Sequence, residues 1–221
     1  MKKQILLFMI GFSVFASCSH TGKTTLASII EIVGNDTISL QKLEVLDLQA
    51  SLYQWKNHLA VYGVFPDAAK VQKRIAAACP EATVRLYDRP FYVFDRRKCD
   101  NPAQAERWTH VLMTANLVAD TTLQQEYMDY HARQEELFPE VAQGFCRAGF
   151  QQLLVFRNGR QLLLVISIPE GENLDDLNPK TTENNPRVDE WNAIMTKYQE
   201  GIEGTAPGEV WVVYNFFKFM L

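Results

Sequence analysis

A tyrosine and a histidine are spaced to act together on one helix face. Tyr127 and His131 lie four residues apart, a spacing that places the phenol and the imidazole on the same side of a helix. Histidine readily gives and takes protons near neutral pH, so this pair could serve in proton transfer. The same spacing also fits a buried histidine that is hydrogen-bonded to a backbone carbonyl group. Spacing alone leaves both interpretations open.

The elements around this pair predict an α+β domain. An apolar strand, an Asp120-capped helix and a further helical stretch from Pro139 are followed by a hairpin at Asn158-Gly159, which is typical of a tight turn. An amphipathic helix and a last strand complete the order βαββαβ. The predicted bounds are Thr109 to Val118, Asp120 to Leu137, Pro139 to Gly149, Gln152 to Phe156, Gln161 to Ile168, Val188 to Ile202 and Val210 to Phe219.

This order is that of a ferredoxin-like domain, in which helices cover one face of an antiparallel sheet. The other face requires a covering layer, and a second sheet packed on it would form an α/β barrel. That sheet could come from a second chain or from a smaller βαββ-like unit that we predict at 43–104, ahead of the main domain at 105–221. Similar starts at 58–65 and 110–118 hint at an internal repeat.

The N-terminus predicts export. A basic pair and an apolar run at 1–17 are typical of a signal peptide, and small residues precede Cys18 as in the lipobox of bacterial lipoproteins. Lipid on Cys18 would anchor the chain to a membrane through a tether at 18–42. The expected location is the cell envelope, in the periplasm or on the outer-membrane surface. Plain secretion, with Cys18 unmodified, is the alternative.

Charge and cysteine content exclude some classes of partner. A net charge of −4 with both signs scattered gives no basic stripe for nucleic acid. Of the cysteines after Cys18, we expect Cys79 and Cys99 to form a disulfide, which would leave Cys146 unpaired. Their spacings do not resemble a zinc site.

A longer series of motifs resembles the L-rhamnose mutarotase family. It covers about Thr109 to Phe219 and consists of Glu126-Tyr127-x-x-x-His131, Phe138-Pro139-Glu140, Gly149, the hairpin, Glu190-Trp191-Asn192-x-x-Met195, Trp211 and Phe216-Phe217. The resemblance implies a ferredoxin-like chain that forms dimeric α/β barrels, and so a homodimer. It also implies interconversion of the α and β anomers of L-rhamnose.

Site residues follow from the resemblance position by position. His131 corresponds to the family's acid/base histidine, Tyr127 to its helix tyrosine and Trp191 to the first of a tryptophan pair. Tyr130 and Asn192 complete the substrate-binding set that we predict, with Asn192 in place of the second tryptophan.

The pairing with the family has one alternative, and further positions depart from the family pattern. An ungapped pairing from Pro139 would instead put Tyr130 and Gln134 on the tyrosine and histidine positions. Phe138 stands where the family has tryptophan, and Leu153 where a substrate-facing tyrosine is expected.

The resemblance favours a lipid-anchored aldose mutarotase that acts on L-rhamnose or a related pyranose. Mutarotation needs one proton delivered to the ring oxygen and one withdrawn from the anomeric hydroxyl, which an imidazole and a phenol or water can manage without metal or cofactor. The lost aromatics at Leu153 and Asn192 motivate a second hypothesis, a non-catalytic sugar-binding or accessory lipoprotein. A barrel that binds another small molecule, such as haem, rests on fold alone.

Overall fold

The structure, a computed structural model, describes residues 26–34, 43, 46 and 48–217. The strands are β1 (Ser28–Val33), β2 (Ser51–Trp55), β3 (His58–Gly63), β4 (Thr83–Tyr87), β5 (Tyr92–Asp95), β6 (Trp108–Leu117), β7 (Gln152–Asn158), β8 (Gln161–Pro169), β9 (Gln199–Glu200), β10 (Val212–Val213) and β11 (Asn215–Phe217). The α-helices are α1 (Ala68–Ala78), α2 (Thr121–Ala132), α3 (Gln134–Leu137), α4 (Pro139–Arg147), α5 (Leu174–Leu177) and α6 (Pro186–Met195). Short 3-10 helices occupy Arg96–Lys98, Asn178–Thr181 and Thr196–Tyr198.

The described strands form two antiparallel sheets that exchange their end strands. The first sheet has the order β11-β2-β3-β1-β4, and the second has the order β10-β6-β8-β7-β5, with β9 also paired to β6. Strand β5 therefore leaves the first half of the chain to pair with β7, and β11 leaves the second half to pair with β2. The α+β, ferredoxin-like fold class predicted from the sequence is confirmed.

The two sheets pack face to face and bury a shared apolar core. Their inner faces contribute the cluster Ala27, Ile29, Tyr53, Ala60, Tyr62, Tyr87, Leu112, Leu154, Phe156, Leu163, Val165 and Tyr214. Such a core gains roughly 25 cal/mol for each Å² of apolar surface removed from water. The α/β barrel thus closes within one chain, which answers the question that the sequence left open. The homodimer stays a prediction.

The first half of the chain starts earlier than the sequence predicts. The sequence predicts that 28–33 belongs to the tether at 18–42, outside the unit at 43–104, but Ser28–Val33 forms β1, a strand between β3 and β4. Ile29 faces the other sheet, whereas Ile30 and Ile32 join a separate cluster with Ile75 of α1. A strand that is covered on both faces has an almost continuous apolar sequence. Strand β1 therefore lacks the alternation of polar and apolar residues by which half-buried strands are predicted. The signal peptide at 1–17 and Cys18 lie outside the described residues.

The internal repeat is present in a different register. When the strand orders of the two sheets are compared, with one of them read in reverse, β1 occupies the same position as β6, and β3 the same position as β8. The sequence suggests that the strand at His58–Gly63 corresponds to the strand at Trp108–Leu117. The structure shows that it does not. A histidine followed by apolar residues was too short a pattern to fix the register.

The disulfide predicted from the sequence is wrong. Cys99 is bonded to Cys146, with their Cα atoms 5.8 Å apart. Cys79 ends α1 as a buried thiol in the cluster on the outer face of the first sheet. The bridge instead ties the connection after β5 to the last turn of α4, on the outer side of the second sheet.

No helix among the described residues is both long and apolar enough to cross a membrane.

Candidate active site

Helix α2 carries the Tyr127–His131 pair over the outer face of the second sheet. Asp120 caps the helix by accepting hydrogen bonds from the backbone N–H groups of Thr122 (2.7 Å) and Leu123 (3.2 Å). Tyr127 is buried at 1% exposure, in a cluster that includes Leu117 of β6. The ring centroids of Tyr127 and His131 lie 4.3 Å apart. The spacing predicted from the sequence therefore places the two rings in contact.

The hydrogen bond of His131 determines which ring nitrogen is available. Its Nδ1 lies 3.0 Å from the carbonyl oxygen of Tyr127. A carbonyl oxygen can only accept, so in neutral His131 this contact assigns the proton to Nδ1 and leaves Nε2 with a lone pair. Burial lowers the pKa of His131 to about 4, although the hydrogen bond to Tyr127 acts in the opposite direction. The imidazole is thus neutral at pH 7 and can accept a proton at Nε2.

Aromatic rings from two other parts of the chain surround His131. Ring centroids of Phe91 and Tyr92 each lie 5.5 Å from that of the imidazole, and that of Trp191 lies 5.2 Å away. Trp191 comes from α6, whereas Phe91 and Tyr92, at the start of β5, come from the first half. The exchange of β5 between the sheets therefore brings two first-half residues to a second-half histidine.

Sequence reasoning missed Phe91 and Tyr92. Nothing in the sequence assigns the segment at 91–94 to the second sheet or places it beside His131. The only available signal was the run of aromatic residues Phe91, Tyr92 and Phe94.

Two amide side chains hold the phenols of the cluster. Gln199 Nε2 donates to the Tyr127 hydroxyl at 3.4 Å, and Gln199 Oε1 accepts from Trp211 Nε1 at 3.2 Å. The Tyr92 hydroxyl donates to Gln134 Oε1. Burial raises the pKa of both Tyr127 and Tyr92. Both phenols are consequently protonated at neutral pH and can act as hydrogen-bond donors.

Four of the five predicted sugar-site residues come together. Tyr130 joins Tyr127, His131 and Trp191, with its ring centroid 6.3 Å from that of Trp191. Asn192 does not join them, and its role in substrate binding stays a prediction. It is exposed, because the residue after buried Trp191 turns about 100° around α6 toward solvent.

The positions that depart from the family pattern lie in two clusters. Phe138 packs against Trp191, with ring centroids 5.4 Å apart. Leu153 packs elsewhere, in a cluster with Phe94 and Phe150. Gln134, the histidine position of the ungapped pairing, is buried and accepts the hydrogen bond of Tyr92.

No group of three or more His, Cys, Asp or Glu side chains in the described ranges is arranged to hold a metal ion.

Comparison with known proteins matches the part of the chain that carries this cluster. A family model described as L-rhamnose mutarotase matches residues 110–218. An L-fucose mutarotase of Xanthomonas campestris is 33% identical over 93 residues, which cover 42% of this chain and 72% of that protein. A UPF0734 protein of Dictyostelium discoideum is 30% identical over 92 residues, which cover 39% of this chain and 67% of that protein. Tyr127, His131 and Trp191 lie inside the matched segment, whereas Phe91 and Tyr92 lie outside it. The chain belongs to the L-rhamnose mutarotase family of carbohydrate isomerases.

Proposed function

We propose that this protein interconverts the α and β anomers of L-rhamnose, L-fucose or a related 6-deoxypyranose at the His131 cluster. The observation that carries the proposal is the neutral imidazole of His131, whose Nε2 is left free by the Nδ1 contact with Tyr127. The family match and the name of the Xanthomonas relative support this class of substrate.

The reaction requires two coordinated proton transfers. His131 Nε2 takes the proton of the anomeric hydroxyl as the C1–O5 bond breaks and a C1 carbonyl forms. The ring oxygen O5 receives a proton from a phenol of the cluster or from a bound water. Rotation about the C1–C2 bond followed by the reverse transfers closes the ring on the other face, so no atom or electron is gained or lost.

The aromatic rings supply orientation. Trp191, Phe91 and Tyr92 present apolar surfaces next to the imidazole. Aromatic faces pack well against the C–H groups of a pyranose, and an amphipathic ring such as Tyr92 also offers a hydroxyl. The first half of the chain would therefore contribute to substrate binding although it lies outside the family match.

Saturation-transfer NMR of anomeric protons tests the proposal. The wild-type protein should accelerate α/β exchange of L-rhamnose, L-fucose or another aldose in a panel, and His131→Ala should return the rate to the spontaneous value. Tyr127→Phe, which keeps the ring and removes the hydroxyl, is the matched variant and should retain the fold. Folded wild-type protein that accelerates exchange of no sugar would overturn the proposal.

A non-catalytic sugar-binding role is the second candidate. It is favoured by the tight burial of the cluster, since Tyr127 is 1% and Trp191 6% exposed, and by Leu153 at a position where the family places a tyrosine. This role predicts saturable sugar binding that survives His131→Ala, with no effect on the exchange rate in either protein.

We also propose that lipid on Cys18 holds the protein in the cell envelope. The support is the signal-like sequence at 1–17 followed by the small residues before Cys18. Metabolic labelling with a palmitate analogue should mark the wild type and not Cys18→Ser, and the variant should move to the soluble fraction. Equal labelling and equal membrane association of the two proteins would contradict the anchor.

A further inference from the structure

A charged carboxylate lies inside the barrel, between the two sheets, where the mutarotase chemistry does not use it. Glu31 on β1 is 0% exposed. Its oxygens contact His58 Nδ1 (2.9 Å), Gln161 Nε2 (2.7 Å), the Tyr214 hydroxyl (3.0 Å), the Tyr87 hydroxyl (3.1 Å) and Arg85 Nη1 (3.4 Å). Burial acts to raise the pKa of Glu31, but hydrogen bonding and the charge interaction with His58, together with the other donors, bring it below its ordinary value. The carboxylate is therefore ionised at neutral pH.

Three of these partners also line a cavity at one end of the barrel. His58, Arg85 and Gln161 form its inner wall, and the cavity has a volume of about 850 Å³. Small-molecule sites typically have volumes of about 300–1,000 Å³. Glu31 itself lies behind this wall, so it would act on a ligand only through the side chains that it orients.

The inner wall offers both donors and acceptors. Glu31 can only accept when it is ionised, so its contact with His58 places a proton on Nδ1 and leaves Nε2 outside that bond. Arg85 donates to Gln161 Oε1 at 2.7 Å through Nη1, which leaves the other guanidinium nitrogens outside that contact. The remaining wall includes the side chains of Asn116 and Asn158, and each amide can donate and accept at once.

The charges around the cavity balance. The lining carries three permanent cations, Lys56, Arg85 and Arg160, and one carboxylate, Glu203. Two further carboxylates pair with these cations from outside the lining: Glu31 with Arg85, and Glu200 with Arg160. Three positive and three negative charges give the site no net charge that would select an ion. This composition suits a neutral ligand that is rich in hydroxyl groups.

We propose that this cavity is a second saccharide site, separate from the His131 cluster, in which His58, Arg85 and Asn116 bind the hydroxyl groups of a neutral pyranose. The His131 cluster lies on the helix-covered outer face of the second sheet, whereas this cavity opens at the end of the space between the sheets. The two sites are independent, so this proposal does not rest on the mutarotase activity.

The four histidines of the chain provide a direct test. In protein labelled with ¹⁵N-histidine, the four imidazoles can be assigned from single His→Ala variants of His20, His110 and His131 and from the remaining signal of His58. Methyl pyranosides of L-fucose, L-rhamnose, D-galactose and D-glucose serve as probes, because they cannot open and mutarotate. The His58 signals should shift saturably with at least one probe, at a Kd of about 1 mM or tighter.

Variants separate this site from the other. The His58 shift should persist in His131→Ala and weaken at least about tenfold in affinity in Asn116→Leu, which removes a polar wall group without touching the Glu31 contacts. Asn215→Leu, the same change at an exposed position of β11, is the matched control and should bind like the wild type. His58 signals that ignore every probe, or a shift unchanged by Asn116→Leu in a folded protein, would overturn the proposal. The Glu31 contacts would then serve only to join the sheets.

Discussion

The imidazole Nδ1 of His131 lies 3.0 Å from the carbonyl oxygen of Tyr127, one helical turn earlier. The backbone of α2 thereby fixes both the tautomer and the orientation of the ring. From the sequence, a carbonyl partner and a catalytic role are competing interpretations of this histidine. The geometry reconciles them, because the carbonyl engages one nitrogen and the reaction needs only the other.

We predict an acidic limb in the pH dependence of anomer exchange. Burial lowers the pKa of His131 to about 4, so the imidazole is neutral, and able to accept a proton, above that pH. As pH falls through about 4, Nε2 becomes protonated and the enzymatic rate should fall about tenfold per pH unit. NMR exchange rates corrected for the spontaneous reaction provide the measurement. An inflection near 6.5, the ordinary value for histidine, would show that the ring is solvated instead.

We expect Phe91→Ala to slow anomer exchange although Phe91 lies outside the family match. Its ring centroid lies 5.5 Å from that of His131 and 6.2 Å from that of Tyr127, so its loss frees the imidazole to move. We expect a drop of about tenfold or more in rate and a loss of about 2–3 kcal/mol in the free energy of unfolding. Urea unfolding and NMR exchange measure the two effects.

Phe216→Ala is the control for this prediction. Phe216 lies on β11, the strand that crosses in the opposite direction, and is 57% exposed. Its loss should leave the exchange rate within about twofold. Equal rates for wild type and Phe91→Ala would show that the Phe91 ring contributes nothing to catalysis.

Removing the disulfide should lower stability without abolishing the fold. The Cys99–Cys146 bond closes a loop with a sequence separation of 47 residues. Changing both cysteines to serine should cost about 2–4 kcal/mol in the free energy of unfolding, because the unfolded chain gains conformational freedom. Urea unfolding of this variant beside Cys79→Ala measures the difference. Peptide mapping without reductant should show the 99–146 bridge both in the wild type and in Cys79→Ala. A peptide pair joined through Cys79 and Cys99 in the wild type would contradict the structure.

The predicted domain at 105–221 should not form a stable monomer by itself. It would lack β5 at the edge of its sheet and would expose Leu154, Phe156, Leu163 and Val165, which the first sheet covers. Exposed apolar faces of this size drive association. Light scattering and thermal unfolding of the isolated segment should show association or an unfolded chain, and a monomer as stable as the whole protein would refute the prediction.

Local signals in the sequence predicted the elements that need no distant partner. Asn158-Gly159 specified the β7–β8 hairpin, where Gly159 adopts φ +60°, and Asp120 specified the start of α2. The helical spacing of Tyr127 and His131 was enough to predict their contact. Because all these features depend on neighbours within a few residues, one sequence suffices to find them.

The features that escaped prediction depend on pairing between strands that are distant in the sequence. The strand at Ser28–Val33 resembled a tether until its partners β3 and β4 were known. The pairing of Cys99 with Cys146 depends on which sheet receives β5. The side chains of Phe91 and Tyr92 reach His131 for the same reason. Pairing between distant strands leaves no periodic mark in the sequence, so these relationships appear only in the structure.

Because both sheets belong to one chain and exchange β5 and β11, the barrel assembles in a first-order reaction whose rate does not depend on protein concentration. Two separate ferredoxin-like subunits can meet only at a rate set by their abundance, whereas here a continuous chain keeps the second layer at a high effective concentration. Dilution therefore cannot dissociate the barrel. In a homodimeric barrel, one substitution appears in both subunits. In this chain the two halves have separate sequences, so a substitution in one half leaves the other unchanged. Phe91 and Tyr92 of the first half can therefore differ from the equivalent residues of the second half and lie beside His131.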